Sequence, residues 1–246
     1  MVFGFIIGAI LGSFVKVLAD RGLVSGSILG RSYCQHCQKK LQPPDLIPVV
    51  SYIILGGKCR YCHEKISIEY LIVEMVMGVL AALIVGQNLP SWSILNVGYQ
   101  LFFAAVLVTV FLTDLKEMLI PDRIILPAIV IGFFFKFLIG VSFFGSVVSA
   151  ILIGGFFLGL VVITRGKGMG GGDIKLGAFM GLSLGFPNGI LAVMLGFLTG
   201  AVFAIGAILM GKKHFGESLP FGPFLVIGSF ITLFWGNEIL KLYLQT

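Results

Sequence analysis

Residues 94–114 read ILNVGYQLFFAAVLVTVFLTD: twenty positions without a charge, then an aspartate. As a helix, a run of this length crosses the roughly 30 Å hydrocarbon core of a bilayer. Seven more apolar runs lie at about 3–19, 68–87, 124–140, 146–164, 174–187, 189–210 and 221–240. The 246-residue chain is 58% apolar and 11% charged, too few charges to cover a soluble domain. The pattern predicts an all-α polytopic membrane protein with about eight transmembrane helices. The runs 174–187 and 189–210 meet in a very tight turn, Phe186-Pro187-Asn188-Gly189. The first run has no basic start, so it reads as a retained helix rather than a cleaved signal.

The net charge of +6 is explained by where the charges fall. With eight crossings, fourteen of the seventeen Lys and Arg residues lie on one side, leaving only Lys16, Lys136 and Lys241 elsewhere. The positive-inside bias makes that side cytoplasmic and puts both termini outside. The partner implied by this charge is the lipid bilayer, and no nucleic acid is expected.

Residues 20–67 form the one sizeable polar segment, which divides the chain into a first helix (1–19), a loop domain (20–67) and a membrane domain (68–246). The loop holds all four cysteines, as Cys34-Gln35-His36-Cys37 and Cys59-Arg60-Tyr61-Cys62, with 21 residues between the pairs. Two such knuckles have the spacing of a closed, tetrahedral four-thiolate zinc site. Two disulfides are the rival reading, disfavoured because thiols on the cytoplasmic side stay reduced. His36 and His63 read as exposed neighbours, since four thiolates complete the site. The expected metal is therefore structural Zn2+, which supplies folding energy that a short loop lacks.

Asp114 ends the run quoted above, and Asp173 opens the 174–187 run after Gly168-Met169-Gly170-Gly171-Gly172. Each has a bland reading, as a charge flanking a span or, for Asp173, as a helix N-cap. Together they are expected at one membrane edge, where two close carboxylates share a proton. One then draws a proton from water while the other polarises a carbonyl, which is the chemistry of peptide hydrolysis. Asp173 at a helix start is the expected base, and Asp114 near a helix end the expected acid. The glycines, Gly170 and Gly172 among them, leave room for an extended substrate backbone. Glu74, one turn inside the second run, is expected to meet either a substrate amine or a loop arginine. Asp122 reads as a helix cap, Lys175 as a boundary charge able to influence Asp173, and His214 as a solvated loop residue.

These stretches resemble the type IV prepilin leader peptidase family, membrane aspartic proteases of pilus, competence and type II secretion systems. The likeness runs through Gly8-x3-Gly12-Ser13-Phe14, Arg21, Arg31-Ser32-x-Cys34-x2-Cys37 and Ile47-Pro48-x2-Ser51-Tyr52. It continues with Gly57-x-Cys59-Arg60-x-Cys62, Ile66-Ser67-x2-Tyr70-x3-Glu74 and Ile120-Pro121-Asp122. It ends with Gly170-x-Gly172-Asp173-x-Lys175 and Pro220-Phe221-Gly222-Pro223-Phe224. The resemblance implies a protease of the class that includes presenilin-like enzymes, with Asp114 and Asp173 as its pair. It implies prepilin and pseudopilin substrates, cut after the glycine of a short basic leader at the cytoplasmic face of the bacterial inner membrane. It also implies methylation of the new N-terminus from S-adenosylmethionine. The chain departs from the family's usual asparagine at Lys16, a residue expected to snorkel to the interface.

Two other classes fit less well. A transporter with relaying aspartates predicts carboxylates at mid-membrane and repeated halves, and neither is visible. A zinc-bearing membrane adaptor accounts for the cysteines but gives the paired aspartates no task.

Overall fold

The computed structural model describes residues 1–22, 30, 32–34, 36–89, 93–140, 142–166, 169–211 and 219–244. Arg31, Lys167, Gly168, Lys212, Lys213 and His214 lie outside the described residues. The described chain is helical: α1 (Val2–Gly22), a 3-10 turn (Pro43–Leu46), α2 (Val50–Ile54), α3 (Ile68–Asn88), α4 (Ile94–Glu117), α5 (Asp122–Ile139), α6 (Phe143–Ile163), α7 (Gly171–Leu184), α8 (Asn188–Leu209) and α9 (Gly222–Leu244). Each of the eight apolar runs coincides with one long helix. Six of these are long and apolar enough to cross a membrane. The other two fall short for separate reasons. Helix α7 has 14 residues, about 21 Å at helical rise, and α5 carries Asp122, Arg123 and Lys136 within 18 residues.

The chain forms two compact units, Met1–Thr109 and Val110–Thr246, so the division falls inside α4. In the first unit α1 packs along α3. Gly4, Gly8 and Gly12 recur every fourth residue and so share one face of α1. A Cβ on Gly8 would lie 2.3 Å from the Met77 carbonyl oxygen, and one on Gly12 would lie 2.8 Å from Glu74 Cα. Backbones approach this closely only where side chains are missing, the usual device of helix association in lipid. At the far end of α3 the Asn88 amide donates to Gln100 (2.9 Å), and the Asn96 amide donates to Asn88 (2.9 Å). This ties α3 to α4 with groups that apolar surroundings would otherwise leave unsatisfied.

Lys16 does not snorkel. Its residue is 2% exposed, and its ammonium meets Asp20 (2.6 Å) and Glu69 (3.2 Å) while lying over the Tyr70 ring. Tyr70 in turn donates to Asp20 (3.2 Å). A lysine one turn from Asp20 on the same helix face finds its counter-charge locally, so it has no need to reach water.

In the second unit α7 is central and touches α5, α6, α8 and α9. Leu176, Phe179 and Met180 are fully buried there. Gly181 allows the α6 backbone to within 2.6 Å of where its Cβ would be, and Gly228 does the same for α8 at 2.3 Å. Phe157, Phe197 and Phe221 form an aromatic cluster beside this seam.

Gly8→Ala is expected to lower unfolding stability in detergent by about 1–3 kcal/mol, because the methyl must push the α1 and α3 backbones apart. Gly155→Ala, where a Cβ would meet nothing within 4 Å, is the control and is expected to keep stability or raise it by up to about 1 kcal/mol, the helix preference of Ala over Gly.

Candidate active site and metal centre

The four cysteines are brought together by two small hairpins of the same construction. Tyr33 bridges to Lys40 and Lys58 bridges to Lys65. In the first, Cys34 N–H donates to the Lys39 carbonyl (3.0 Å) and Gln38 N–H to the Cys34 carbonyl (2.9 Å). In the second, Cys59 N–H donates to Glu64 (2.8 Å) and His63 N–H to Cys59 (3.0 Å). Gln38 and His63, at matching places, both take φ 57°, a left-handed turn that lets each knuckle close. This local repeat went unseen in the sequence, since the hairpins share only Cys-x-x-Cys-x-x-Lys, while the rest of their likeness is backbone geometry.

The four sulfurs lie within 4.8 Å of one another and can hold one metal ion. Cys34 and Cys62 Sγ are 3.8 Å apart, the edge of about 3.8 Å that a tetrahedron of metal–sulfur bonds near 2.3 Å requires. All four are free cysteines. His36 and His63 are exposed and outside the cluster. The Cys37 backbone N–H, with that of His36, brings the Cys34 thiol down to about 6. The Cys62 thiol also receives a backbone N–H, from Glu64, but burial and the three neighbouring sulfurs push it up to about 12. Four close sulfurs thus resist carrying four negative charges unless a cation joins them. Asp45 braces the second knuckle from the 3-10 turn: it accepts from the Arg60 guanidinium, the Tyr61 hydroxyl (3.2 Å) and Gln42 N–H (3.1 Å).

One metal ion per purified chain is expected, and replacing Cys34 and Cys59 together by serine is expected to abolish it. Because protons compete with metal for the thiolates, affinity is expected to fall as pH is lowered. With one proton displaced, the fall is about tenfold per pH unit. Metal titration against a chromogenic chelator at several pH values measures both effects.

Asp114 and Asp173 both belong to the second unit and are 6% and 8% exposed. They are near enough for the charge of one to act on the other. Asp114 sits in the last turn of α4, and its carboxylate accepts the N–H of Gly222, the first residue of α9, at 2.9 Å. A Cβ on Gly222 would lie 2.7 Å from that same oxygen, so only glycine lets the bond form. Asp173 is the third residue of α7 and not its cap. Its carboxylate reaches back to the N–H of Gly170, at the cap position, at 3.1 Å. The helix-end contrast between the two aspartates therefore disappears. Asp114 lies near one helix C-terminus but against another helix's N-terminus, which stabilises an anion as α7 does for Asp173.

The glycines divide in role. Gly171 faces open space, whereas a Cβ on Gly172 would meet the Ile120 side chain at 3.0 Å, so the missing side chain lets α7 begin close against Ile120. Lys175 pairs with Asp122 instead of either buried aspartate. Asp122 is the first residue of α5, after its cap Pro121, and gives its carboxylate to Lys175. Glu74 meets no arginine among the described residues. It accepts Val49 N–H at 2.7 Å and the Ser13 hydroxyl. Gly222 is the site residue that sequence reasoning missed. Its signal was the Pro220-Phe221-Gly222-Pro223-Phe224 string, where a glycine between apolar residues opens a helix.

Residues 6–87 match the bacterial peptidase A24 N-terminal domain, and residues 101–205 match the type IV leader peptidase family. A Bacillus subtilis (strain 168) protein named prepilin leader peptidase/N-methyltransferase is 34% identical over 98% of this chain and 96% of its own length. Proteins of the same name from Aeromonas salmonicida (strain A449) and Pseudomonas aeruginosa are 34% and 30% identical, over 88% and 89% of this chain and 75% and 76% of theirs. No solved structure matches the chain. On this likeness, nearly end to end, the chain belongs to the type IV leader peptidase family.

Proposed function

We infer that the chain is a prepilin leader peptidase that also N-methylates its product, with Asp114 and Asp173 as the hydrolytic pair. The observation that carries the reading is the burial of both carboxylates in one unit, in electrostatic reach of each other, each held among the described residues by a single backbone N–H. A carboxylate held through one N–H keeps its other oxygen for water or a shared proton. With one proton between them, the ionised member takes a proton from water as it attacks the scissile carbonyl. The protonated member donates to the carbonyl oxygen as the tetrahedral intermediate forms. Since both aspartates lie against helix N-termini, the pair is best treated as one titrating unit with exchangeable roles.

The substrates in this reading are prepilins or pseudopilins with a basic leader ending in glycine, cut at the cytoplasmic face of the bacterial inner membrane. The basic residues gathered on one side of the predicted topology support this orientation, with the cysteine loop cytoplasmic and both termini outside. The cysteine cluster is read as a structural Zn2+ site. Four thiolates close the coordination shell, so it offers no position to water. S-adenosylmethionine is the methyl donor that the second activity requires. Three parts follow: a first helix (1–19), a zinc-binding loop domain (20–67) and a membrane peptidase domain (68–246).

Processing of a prepilin-like substrate in membranes tests the assignment. Asp114→Asn and Asp173→Asn are each expected to lower cleavage by on the order of 10³-fold or more, with metal content unchanged. Gly222→Ala is expected to impair cleavage as well, because its methyl would displace the Asp114 carboxylate. Undiminished cleavage by either asparagine variant would overturn the aspartyl mechanism.

A further inference from the structure

In the first unit, between the cysteine hairpins and the ends of α1 and α3, lies a cavity of about 790 Å³. This is within the 300–1,000 Å³ of small-molecule sites. It is lined by Ser13 and Val17 of α1, Tyr70 and Glu74 of α3, and residues of the loop, among them Tyr52. Four carboxylates, Asp20, Asp45, Glu64 and Glu74, border it, against Arg21 and Lys65. Two of the four are already neutralised, Asp20 by Lys16 and Asp45 by Arg60. Glu74 is different. It is 7% exposed, and among the described residues it has hydrogen bonds from Val49 and Ser13 but no cation. A buried carboxylate in a membrane helix ordinarily has a cationic partner.

We propose that this cavity is where the new N-terminus is methylated, and that Glu74 receives the substrate's terminal ammonium and takes its proton. The inference rests on the peptidase–methyltransferase reading and assigns its second half to a place and a residue. Position supports an amine on an apolar peptide. Glu74 is the seventh residue of α3, about 9 Å along the helix from its start, so a membrane-embedded segment can present its first residue without leaving the bilayer. Neither aspartate of the peptidase reading is among the residues that line this cavity.

The step balances. The Glu74 carboxylate takes one proton from the ammonium and frees the nitrogen lone pair. That pair forms the N–C bond to the methyl group of the sulfonium donor. The S–C bond breaks with its electrons going to sulfur, leaving a neutral thioether and a methylated ammonium.

Glu74→Gln separates charge from structure, because its amide oxygen can still accept the Val49 N–H. The full chain in detergent is first given a labelled apolar peptide with a free N-terminal amine, or the same peptide N-acetylated, with no donor present. The wild type is expected to prefer the free amine by about tenfold, and Glu74→Gln to lose that preference. In turnover, Glu74→Gln is expected to keep prepilin cleavage and lose methylation of the product by about a hundredfold. KM for the peptide should rise while that for S-adenosylmethionine stays put, and Glu74→Asp should recover part of the rate. Equal amine preference in both proteins, wild-type methylation by Glu74→Gln, or a parallel loss of cleavage and methylation each overturns the proposal. A change confined to the donor's KM also overturns it, by moving the carboxylate to the donor. Wild-type cleavage without methylation sinks this inference and leaves the peptidase reading standing, whereas loss of both activities in the wild type sinks the peptidase reading itself.

Discussion

A carboxylate placed among apolar helices must find hydrogen-bond donors, and most backbone N–H groups there are already spent inside helices. The exceptions are the first N–H groups of each helix, which have no partner in the preceding turn. Three buried carboxylates of this protein use that exception. Asp173 takes the N–H of Gly170 at the start of α7, and Asp114 takes that of Gly222 at the start of α9. Glu74 takes that of Val49 before α2. Among the described residues each acid is partly solvated by peptide rather than by a counter-ion, so its charge remains available to an incoming proton, water or cation. Three other acids near the membrane boundary behave otherwise. Asp20 and Glu69 share Lys16, and Asp122 holds Lys175.

This contrast separates the acids suited to chemistry from those suited to structure. An ion pair formed within the protein cancels the charge on which reactivity depends, whereas a single N–H steadies a carboxylate without neutralising it. It also explains the glycines at these points. Gly222 must lack a side chain for Asp114 to reach its N–H, since a Cβ would stand 2.7 Å from the carboxylate oxygen. Gly172 does the related task of letting α7 begin against Ile120. The loop domain meets its own polar demand differently. Two hairpins with the same backbone bonds present four sulfurs to one point, so a metal ion can do for this segment what apolar packing does for the bundle.

Several features were legible because they are local. Hydrophobic period and run length marked all eight long helices, and Cys-x-x-Cys spacing marked the metal cluster. Asp114 and Asp173 stood out as acids at the edges of apolar runs. What could not be read was the identity of partners distant in the chain. Lys16 has Asp20 one turn on, but its other partners, Glu69 and Tyr70, stand far along the chain. Lys175 is two residues from Asp173 but bonds to Asp122, 53 positions away. The bland reading of Asp173 has it cap α7 with its own oxygen. Instead it stands at the third position and holds the cap residue's N–H, a distinction that depends on where the first turn closes.

The sequence by itself determined that this protein crosses a membrane on helices, that a four-cysteine loop interrupts them early, and that two aspartates stand at helix edges. Those are properties of composition, periodicity and short spacing, which act within a few turns of chain. Tertiary structure alone decided that the Asp114 carboxylate is held by Gly222, 108 residues later. It also decided that Glu74 borders a cavity without a counter-ion among the described residues. Such partnerships depend on which helix starts are brought against which helix ends, and that follows from packing over the whole chain.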